Sequence, residues 1–529
     1  MITIIQGTTK KPASAKRLIN FFTQHSDYEG TLYIGFPIIA TAEGAFHFDA
    51  LFLSRQHGII IFNLVENNDL TQFIELQDDS FNKLDSKLRT NKKLMAGRKL
   101  LATISVITFA PTHKGNEGTN DHPLCNEQNL KTQIDKSKED HPESFELILS
   151  ILQSISTLRS NRKKRSPSKI NSRGDKLKNL EDSIANLDKM QSKSVIETVE
   201  GVQRIRGLAG SGKTIVLALK AAYLHIQNPD WKIAITFNTR SLKSQFRRLI
   251  NNFVVEQTGE EPDWENIQII HAWGAPGGTE KNGIYFTFCK ENNLEYFDYK
   301  QAKNKFGENK EFEESCKKAL LESKDIKSLY DVILIDEAQD FPPSFLQLCY
   351  EILNKTKRLV YAYDELQKLN SQSLPDPEIL FGNDGNGLPK VKFSSNQIGK
   401  PQQDIILERC YRNSGPMLVT AHALGFGIYK NSIEKTGSGL VQMFDRKELW
   451  IDVGYVVEDG ELEEGHKVTL TRTEESSPGF LSSHSDIDDL IQFIKFDTKE
   501  SQALWVAEQI SINLQQEELT WSTKMLHPS

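Results

Sequence analysis

Eight consecutive residues near the middle of the chain carry its clearest chemical signal. Gly207-Leu208-Ala209-Gly210-Ser211-Gly212-Lys213-Thr214 matches the pattern G-x-x-x-x-G-K-[ST] at every position. Glycines let the backbone curl so that successive N–H groups face a polyphosphate, which the N-terminus of a following helix also attracts. Lys213 would place its charge on the β- and γ-phosphates, and the Thr214 hydroxyl would ligate Mg²⁺. The stretch predicts a nucleoside triphosphate site, whose binding residues are Gly207, Ala209, Gly210, Ser211, Gly212, Lys213 and Thr214.

A pair of adjacent acidic residues is the second signal. Asp336 and Glu337 follow the apolar run of residues 330–335, which is typical of a buried strand. In open α/β sheets, ligands bind at the carboxyl ends of the strands, where this strand delivers both carboxylates. We expect Asp336 to hold Mg²⁺ through water and Glu337 to polarise the water that attacks the γ-phosphate.

These two signals need a sheet that brings them together, and the surrounding sequence predicts one. Strands are expected at residues 203–206, 231–238, 267–273, 330–335 and 358–367, and helices at 215–222 and 241–253. Residues 275–328 are polar with a helical pattern and predict an insertion. Residues 370–404 are rich in Gly, Asn, Ser and Pro and predict a long loop.

The composition is that of a soluble, intracellular protein of several domains. The 529 residues include 64 Lys and Arg against 71 Asp and Glu, so the net charge of −7 predicts at most a local nucleic-acid surface. Five scattered cysteines without a C-x-x-C pair argue against a zinc site or a disulfide framework. Since we find no signal peptide and no apolar run of ~20 residues, we expect a cytoplasmic location and no membrane partner.

The N-terminal residues 1–115 predict a small α/β domain. Strands are expected at 32–36, 45–53, 58–65 and 102–109, and a basic helix at 84–101. The layout resembles the NERD-type nuclease-related domains of the restriction-endonuclease-like fold. That resemblance implies a metal-binding Asp on one strand, where Asp49 stands, and an E-x-K on the next. Asn63 and Val65 occupy the E and K positions, with Glu66 one step beyond, so a scaffold or interaction domain is favoured over a nuclease.

A polar and basic segment, residues 116–185, follows that domain. A helix is expected at 145–158, and residues 159–178 then carry nine Lys and Arg against the single Asp175. This run could engage phosphates or serve as a solvated linker, and both interpretations stay open. Gln191, upstream of the phosphate loop, could read the edge of an adenine, although glutamines are also common on exposed helices.

Six sequence blocks between residues 186 and 529 together resemble a superfamily 1 helicase of the UvrD/Rep type. In chain order they are the phosphate loop (motif I), Thr236-Phe237-Asn238 (Ia), His271-Ala272-Trp273 (Ib), Asp336-Glu337-Ala338-Gln339-Asp340 (II), Asp364-Glu365-Leu366-Gln367 (III) and Tyr411-Arg412-Asn413 (IV). The resemblance implies a complete RecA-like P-loop lobe at residues 186–400 and a partial second RecA-like lobe at 401–529.

The same resemblance implies cofactors and residue roles. ATP and Mg²⁺ would be the cofactors, Gln339 and Gln367 would sense the γ-phosphate, and Arg412 would act as an arginine finger from the second lobe. Translocation would run 3′→5′ along single-stranded DNA. Side chains that would line the DNA track, partly by stacking on bases, are Thr236, Phe237, Asn238, His271 and Trp273.

The chain departs from this family after motif IV. We find neither the family's T-x-H-x-x-K-G-x-E block nor its second arginine block, and Thr471-Arg472-Thr473 is not taken for the latter. Strands are expected at 449–457 and 466–470 and an amphipathic helix at 498–514, which are too few elements for a whole lobe. We therefore expect that the chain is a fragment of a longer protein, that the second lobe is truncated, or that a partner protein completes it.

The function favoured by the sequence is ATP-dependent translocation on single-stranded DNA, or unwinding of partly duplex DNA. By analogy alone, such an activity would serve DNA repair or anti-phage defence. One alternative is a nuclease effector in the N-terminal domain that is gated by ATP and needs a metal at Asp49. Another is a regulatory ATP switch that sets assembly with a partner and unwinds nothing.

Overall fold

A computed structural model describes the chain in two compact units. The described residues are 2–41, 44–67, 69–114, 118–153, 168–183, 187–239, 242–278, 281–364, 374–394, 400–411, 413–426, 448–463, 466–477 and 484–519. Two predicted site residues, Gln367 and Arg412, lie outside them, as do the basic residues 159–165. The larger unit takes Met1–Leu158, Asn186–Gly207 and Lys213–Leu407, and the smaller one takes Arg159–Ala185, Leu208–Gly212 and Glu408–Ser529.

The larger unit begins with a mixed six-stranded sheet. Its part of the chain forms β1 (Ile2–Gln6), β2 (Gly30–Ile34), β3 (Ile38–Thr41), β4 (Gly44–His47), β5 (Ala50–Ser54), β6 (Gly58–Leu64), β7 (Met95–Ala96), β8 (Lys99–Leu100), β9 (Ile104–Phe109) and β10 (Leu124–Cys125). Helices of this part are α1 (Pro12–Gln24), α2 (Phe73–Arg89), α3 (Leu130–Ile134) and α4 (Phe145–Leu152). The sheet order is β1-β2-β5-β6-β9-β10, and β2, β5 and β6 form an antiparallel meander.

Both faces of this first sheet are buried, and alternate residues of each strand divide between two cores. Phe52 and Phe62 pack with Phe22 of α1 on one face. Leu51 and Ile61 lie on the other face, in a core that continues into the second sheet of the same unit. The first sheet is therefore joined to the second by shared apolar packing.

The second sheet is six-stranded and entirely parallel, in the order β13-β12-β14-β15-β11-β16. Its strands are β11 (Val202–Gly207), β12 (Ile233–Phe237), β13 (Ile267–His271), β14 (Tyr330–Ile335), β15 (Leu353–Tyr363) and β16 (Asp404–Leu407). Its helices are α6 (Lys189–Ile196), α7 (Lys213–Gln227), α8 (Leu242–Thr258), α9 (Ile284–Glu291), α10 (Tyr299–Phe306), α11 (Glu311–Glu322), α12 (Pro343–Glu351) and α13 (Pro377–Leu380). Buried helices cover both faces, as the continuous apolar runs of its strands require.

The smaller unit has less regular structure among its described residues. Its elements are α5 (Arg173–Ser183), α14 (Gly415–Phe426), α15 (Glu448–Asp452), β17 (Tyr455–Gly460), β18 (Val468–Arg472), α16 (Ile487–Leu490) and α17 (Lys499–Gln515). β17 and β18 form an antiparallel pair, the one sheet in the described part of this unit. Arg472 of β18 holds this region together, since its guanidinium donates to the Ser477 hydroxyl and to the backbone carbonyls of Val453 and Ser476.

Three expected elements were wrong in the N-terminal and C-terminal regions. The helix expected at 84–101 is α2, which ends at Arg89, because the Asn91 side chain accepts from Lys93 N and starts a short 3₁₀ turn. The strand expected at 45–53 divides into β4 and β5, which belong to different sheets. The strand expected at 449–457 begins as α15, and Gly454 turns the chain at a φ of 89° before β17.

Other expected boundaries also shift. The first sheet continues past residue 115, because β10 pairs in parallel with β9, and the second continues past residue 400, because β16 pairs with β11. The helix expected at 498–514 is α17, but none of its residues is buried and Leu504 is 73% exposed. The five cysteines, all of them described, form no disulfide. In the described part of the chain, no helix is long and apolar enough to span a membrane.

Candidate functional site

The glycine loop that connects β11 to α7 has the backbone shape its sequence requires. Gly210 and Gly212 have φ values of 88° and 92°, in the left-handed region that side chains with a Cβ rarely adopt. Ser211 N donates to Leu208 O at 3.1 Å, which tightens the turn. Within the smaller unit, Ala209 O accepts from Cys410 Sγ at 2.9 Å and from the Asn413 side chain at 3.0 Å.

Thr214 and Asp336 meet at the carboxyl edge of the second sheet. Thr214 lies in the first turn of α7, and Asp336 directly follows β14, a central strand of this sheet. The Thr214 hydroxyl donates to Asp336 Oδ2 at 2.8 Å. Asp336 is fully buried, and this burial, followed by the charge of Glu337, raises the pKa of Asp336 to about 7 against the hydrogen bond from Thr214. Hydroxyl and carboxylate oxygens are the ligands that Mg²⁺ prefers, so the pair fits that ion.

Glu337 and Gln339 follow on the same turn. Glu337 adopts a left-handed backbone conformation, with φ at 50° and ψ at 51°, which is uncommon for a residue other than glycine. Gln339 Nε2 donates to Glu337 Oε2 at 2.7 Å, and Gln339 Oε1 accepts from Asp364 N at 3.1 Å. The Glu337 carboxylate is thereby fixed by a side chain that also contacts the end of the neighbouring strand β15.

The Lys213 side chain is buried close to Asp364. Its Nζ donates to Gly207 O at 2.8 Å and lies 3.8 Å from Asp364 Oδ2. Asp364 was not among the site residues predicted from the sequence. Its place directly after β15, beside β14 in the sheet order, is the signal that could have found it.

The predicted adenine reader, Gln191, caps a helix. Its backbone N donates to Asp188 Oδ1 at 2.8 Å, and its Oε1 accepts from Asp188 N at 3.2 Å. This reciprocal pair is a capping box at the start of α6, in which Gln191 is buried.

The residues predicted to contact DNA lie together at the ends of β12 and β13, but two of them have little exposed surface. Thr236 and Phe237 are buried, and the Phe237 ring stacks on Phe246 of α8 at 5.8 Å. His271 Nδ1 accepts from Trp273 N at 3.1 Å, so its Nε2 carries the proton and donates to Asn238 O at 2.7 Å. His271 therefore links the ends of the two strands through both of its ring nitrogens.

Two cavities open beside His271. The first, of about 960 Å³, is lined by Trp273, Tyr299 and Phe312, of which Trp273 and Phe312 stack at 4.8 Å. Its polar lining includes the carboxylates Glu311, Glu313 and Asp340. The second, of about 740 Å³, is lined by Lys243 and Lys281 together with Tyr296 and Asp298. Several of these residues come from the helical stretch 275–328, which the sequence predicted to be an insertion without a site residue.

Asp49 is engaged in structural bonds at the start of α1. Its Oδ2 lies 2.6 Å from Lys11 Nζ and accepts from Leu64 N at 3.0 Å. Glu66 Oε1 accepts from Ala13 N at 2.7 Å and so caps α1. Among the described residues, the one group of three side chains spaced to hold a metal is the exposed set Glu461, Glu463 and His466, which does not include Asp49.

Comparison with known proteins leaves this geometry as the main guide to function. No protein-family model matches the chain, and no curated protein matches it.

Proposed function

We propose that this chain is a Mg²⁺-dependent ATP hydrolase that moves along single-stranded DNA, of the UvrD/Rep helicase type. The observation that carries the proposal is the 2.8 Å hydrogen bond between Thr214 Oγ1 and Asp336 Oδ2, with Glu337 next along the chain. It supports the proposal because the hydroxyl of the G-K-T pattern and the first carboxylate of the acidic pair would share one metal ion.

The chain's own residues would divide the chemistry as follows. Thr214 and Asp336 would hold Mg²⁺, which supplies charge neutralisation of the phosphates. Lys213 would bind the β- and γ-phosphates, and Glu337 would orient the attacking water and accept its proton. Gln339 keeps the Glu337 carboxylate in place through its 2.7 Å hydrogen bond.

The DNA part of the proposal is supported by the two cavities beside His271. Aromatic faces such as Tyr299 and Trp273 suit unstacked bases, because stacking tolerates any sequence. Phosphates favour the second cavity, where Lys243 and Lys281 supply positive charge, over the first, where three carboxylates would repel them. In this proposal β11–β16 are the core of a RecA-like lobe, and a partner protein completes the second lobe.

ATP turnover with and without single-stranded DNA tests the proposal. We expect turnover that rises at least severalfold with DNA and that is lost in Lys213→Ala. Lys232→Ala, which removes an exposed lysine just before β12, is the matched control and should behave as wild type. Nucleotide binding without any turnover would favour the regulatory switch, and turnover indifferent to DNA would overturn the motor.

The nuclease alternative draws no support from the N-terminal domain. Asp49 is bound to Lys11, and Asn63 accepts from the Ser80 hydroxyl at 3.0 Å. We therefore propose a scaffold role for the NERD-like layout, and DNA cleavage that Asp49→Ala abolishes would contradict it.

A further inference from the structure

Lys213 is a nearly buried cation with an acidic neighbour that the proposed chemistry leaves unassigned. The Lys213 side chain is 5% exposed and that of Asp364 is 1% exposed. Lys213 Nζ lies 3.8 Å from Asp364 Oδ2, beyond a good hydrogen bond, whereas it donates to Gly207 O at 2.8 Å. A buried carboxylate and a buried ammonium at this distance attract one another strongly, because little water screens their charges.

The same carboxylate would oppose a polyphosphate. Lys213 can bind phosphate oxygens only where its ammonium is available to them, so Asp364 and the incoming anion compete for one cation. The two anions also repel each other, and the 1% exposure of the Asp364 side chain limits the screening of its charge by water. Occupation of the site therefore has to weaken the pair between Lys213 and Asp364.

Asp364 is also connected to the proposed water-activating residue. Its backbone N donates to Gln339 Oε1 at 3.1 Å, and Gln339 Nε2 donates to Glu337 Oε2 at 2.7 Å. The adjacency of β14 and β15 in the sheet brings these strand ends together. Two successive hydrogen bonds, through the Gln339 side chain, thus connect the backbone of Asp364 to the carboxylate of Glu337.

We propose that Asp364 is a positioning residue, the resident counter-ion of Lys213 that bound phosphate displaces, and that it sets the nucleotide affinity of the site. The inference rests on the proposed function, because the displacing anion is taken to be the phosphate chain of ATP or ADP. A purely structural aspartate would stabilise the fold without changing how tightly nucleotide binds.

Equilibrium binding of Mg·ATP and Mg·ADP to the full chain tests the proposal. Asp364→Asn keeps the shape and the backbone N–H but removes the charge, so we expect about tenfold tighter binding of both nucleotides, the equivalent of one close charge contact. Asp364→Glu, which keeps the charge, should stay close to wild type. Asp230→Asn, at an exposed position before β12, controls for the loss of one negative charge.

Measurements of ATP turnover distinguish a positioning role of Asp364 from a role in fold stability alone. We expect Asp364→Asn to lower KM, because the variant binds the nucleotide more tightly before hydrolysis. The kcat should not rise, because the backbone N of residue 364 still donates to Gln339. Unchanged or weaker nucleotide binding by a folded Asp364→Asn protein would overturn the proposal.

A second variant covers the case in which Asp364→Asn fails to fold. The double variant Lys213→Gln with Asp364→Asn removes both charges, so the fold should recover, since paired groups are non-additive. An unfolded double variant would contradict the pairing. If the wild-type protein binds no nucleotide, the proposed function is wrong. If the wild-type protein binds nucleotide, Lys213→Ala abolishes this binding and Asp364→Asn leaves it unchanged, only the present inference is wrong.

Discussion

The Tyr223 hydroxyl donates a hydrogen bond to the backbone carbonyl of Gly35 at 3.3 Å. Tyr223 lies on α7, the helix that begins at Lys213, and Gly35 directly follows β2 of the first sheet. Gln227 of the same helix donates to the same carbonyl at 3.1 Å, and Gly35 N donates to Asp49 O at 2.8 Å. The helix of the proposed nucleotide site is therefore built into the N-terminal sheet by polar contacts inside a shared apolar core.

Removal of the Tyr223 hydroxyl should weaken this junction. Its oxygen also accepts from Thr8 N at 3.3 Å, so Tyr223→Phe removes a hydrogen-bond partner from this N–H as well as from the Gly35 carbonyl. We expect a loss of about 1–2 kcal/mol in the free energy of unfolding of the larger unit. Urea denaturation followed by circular dichroism measures it. Tyr299→Phe, at a ring that is 56% exposed, is the control, and equal effects of both changes would contradict the account.

The contacts of Asp404 with two arginines should make the free energy of unfolding depend on pH in the acid range. Both Arg204 and Arg206 donate two hydrogen bonds to its carboxylate. Burial opposes ionisation, but the hydrogen bonds and charges of the two arginines prevail and hold the pKa of Asp404 below its usual value. Because the folded-state pKa is the lower one, this stabilisation is present above the unfolded-state pKa of about 4 and is lost as the pH falls through the folded-state value.

Asp404→Asn is the direct test of that contact. We expect it to cost about 2 kcal/mol or more at pH 7, since two buried guanidinium groups lose their shared carboxylate. The variant should also show a shallower loss of stability below about pH 4. Urea midpoints at pH 7 and at acid pH measure both effects. A variant with wild-type stability at pH 7 would show that the arginines are compensated elsewhere.

The two cavities beside His271 predict separable contributions to DNA binding. Tyr299→Ala removes an exposed ring from the aromatic cavity and should cost about 1–3 kcal/mol in affinity for single-stranded DNA with little change in salt dependence. Lys281→Ala in the second cavity should instead reduce the slope of log affinity against log salt by about one. Fluorescence anisotropy of a labelled oligothymidine over a salt series distinguishes them. Identical behaviour of both variants would exclude the division of the site into a base cavity and a phosphate cavity.

The residues that follow strands were the most predictable part of this protein. An apolar run that ends in Asp336 and Glu337 indicates a buried strand with its carboxylates at the edge, and the structure has β14 there, with Asp336 against Thr214. The same reasoning applies to the end of β15, where Asp364 could have been included. Local sequence suffices for these features because strand direction alone determines which end carries the side chains.

Contacts between residues that are far apart in the sequence could not be predicted from it. Phe237 looks accessible at a strand end, but Phe246 of α8 stacks on it, and only the packing of α8 decides this. Asp49 pairs with Lys11, which lies 38 residues away in the sequence, and no local sequence pattern predicts that bond. The helix expected at 84–101 was wrong because the Asn91 side chain competes for the backbone, an effect that apolar spacing does not record.

Parallel measurements of Mg·ATP binding and of ATP turnover on wild type and Glu337→Gln test whether Glu337 activates water for hydrolysis. We expect the variant to bind Mg·ATP within about threefold of wild type but to lose at least about a hundredfold in kcat, because the amide cannot accept the water's proton. Turnover by Glu337→Gln at the wild-type rate would contradict the assignment of this site as the place of hydrolysis.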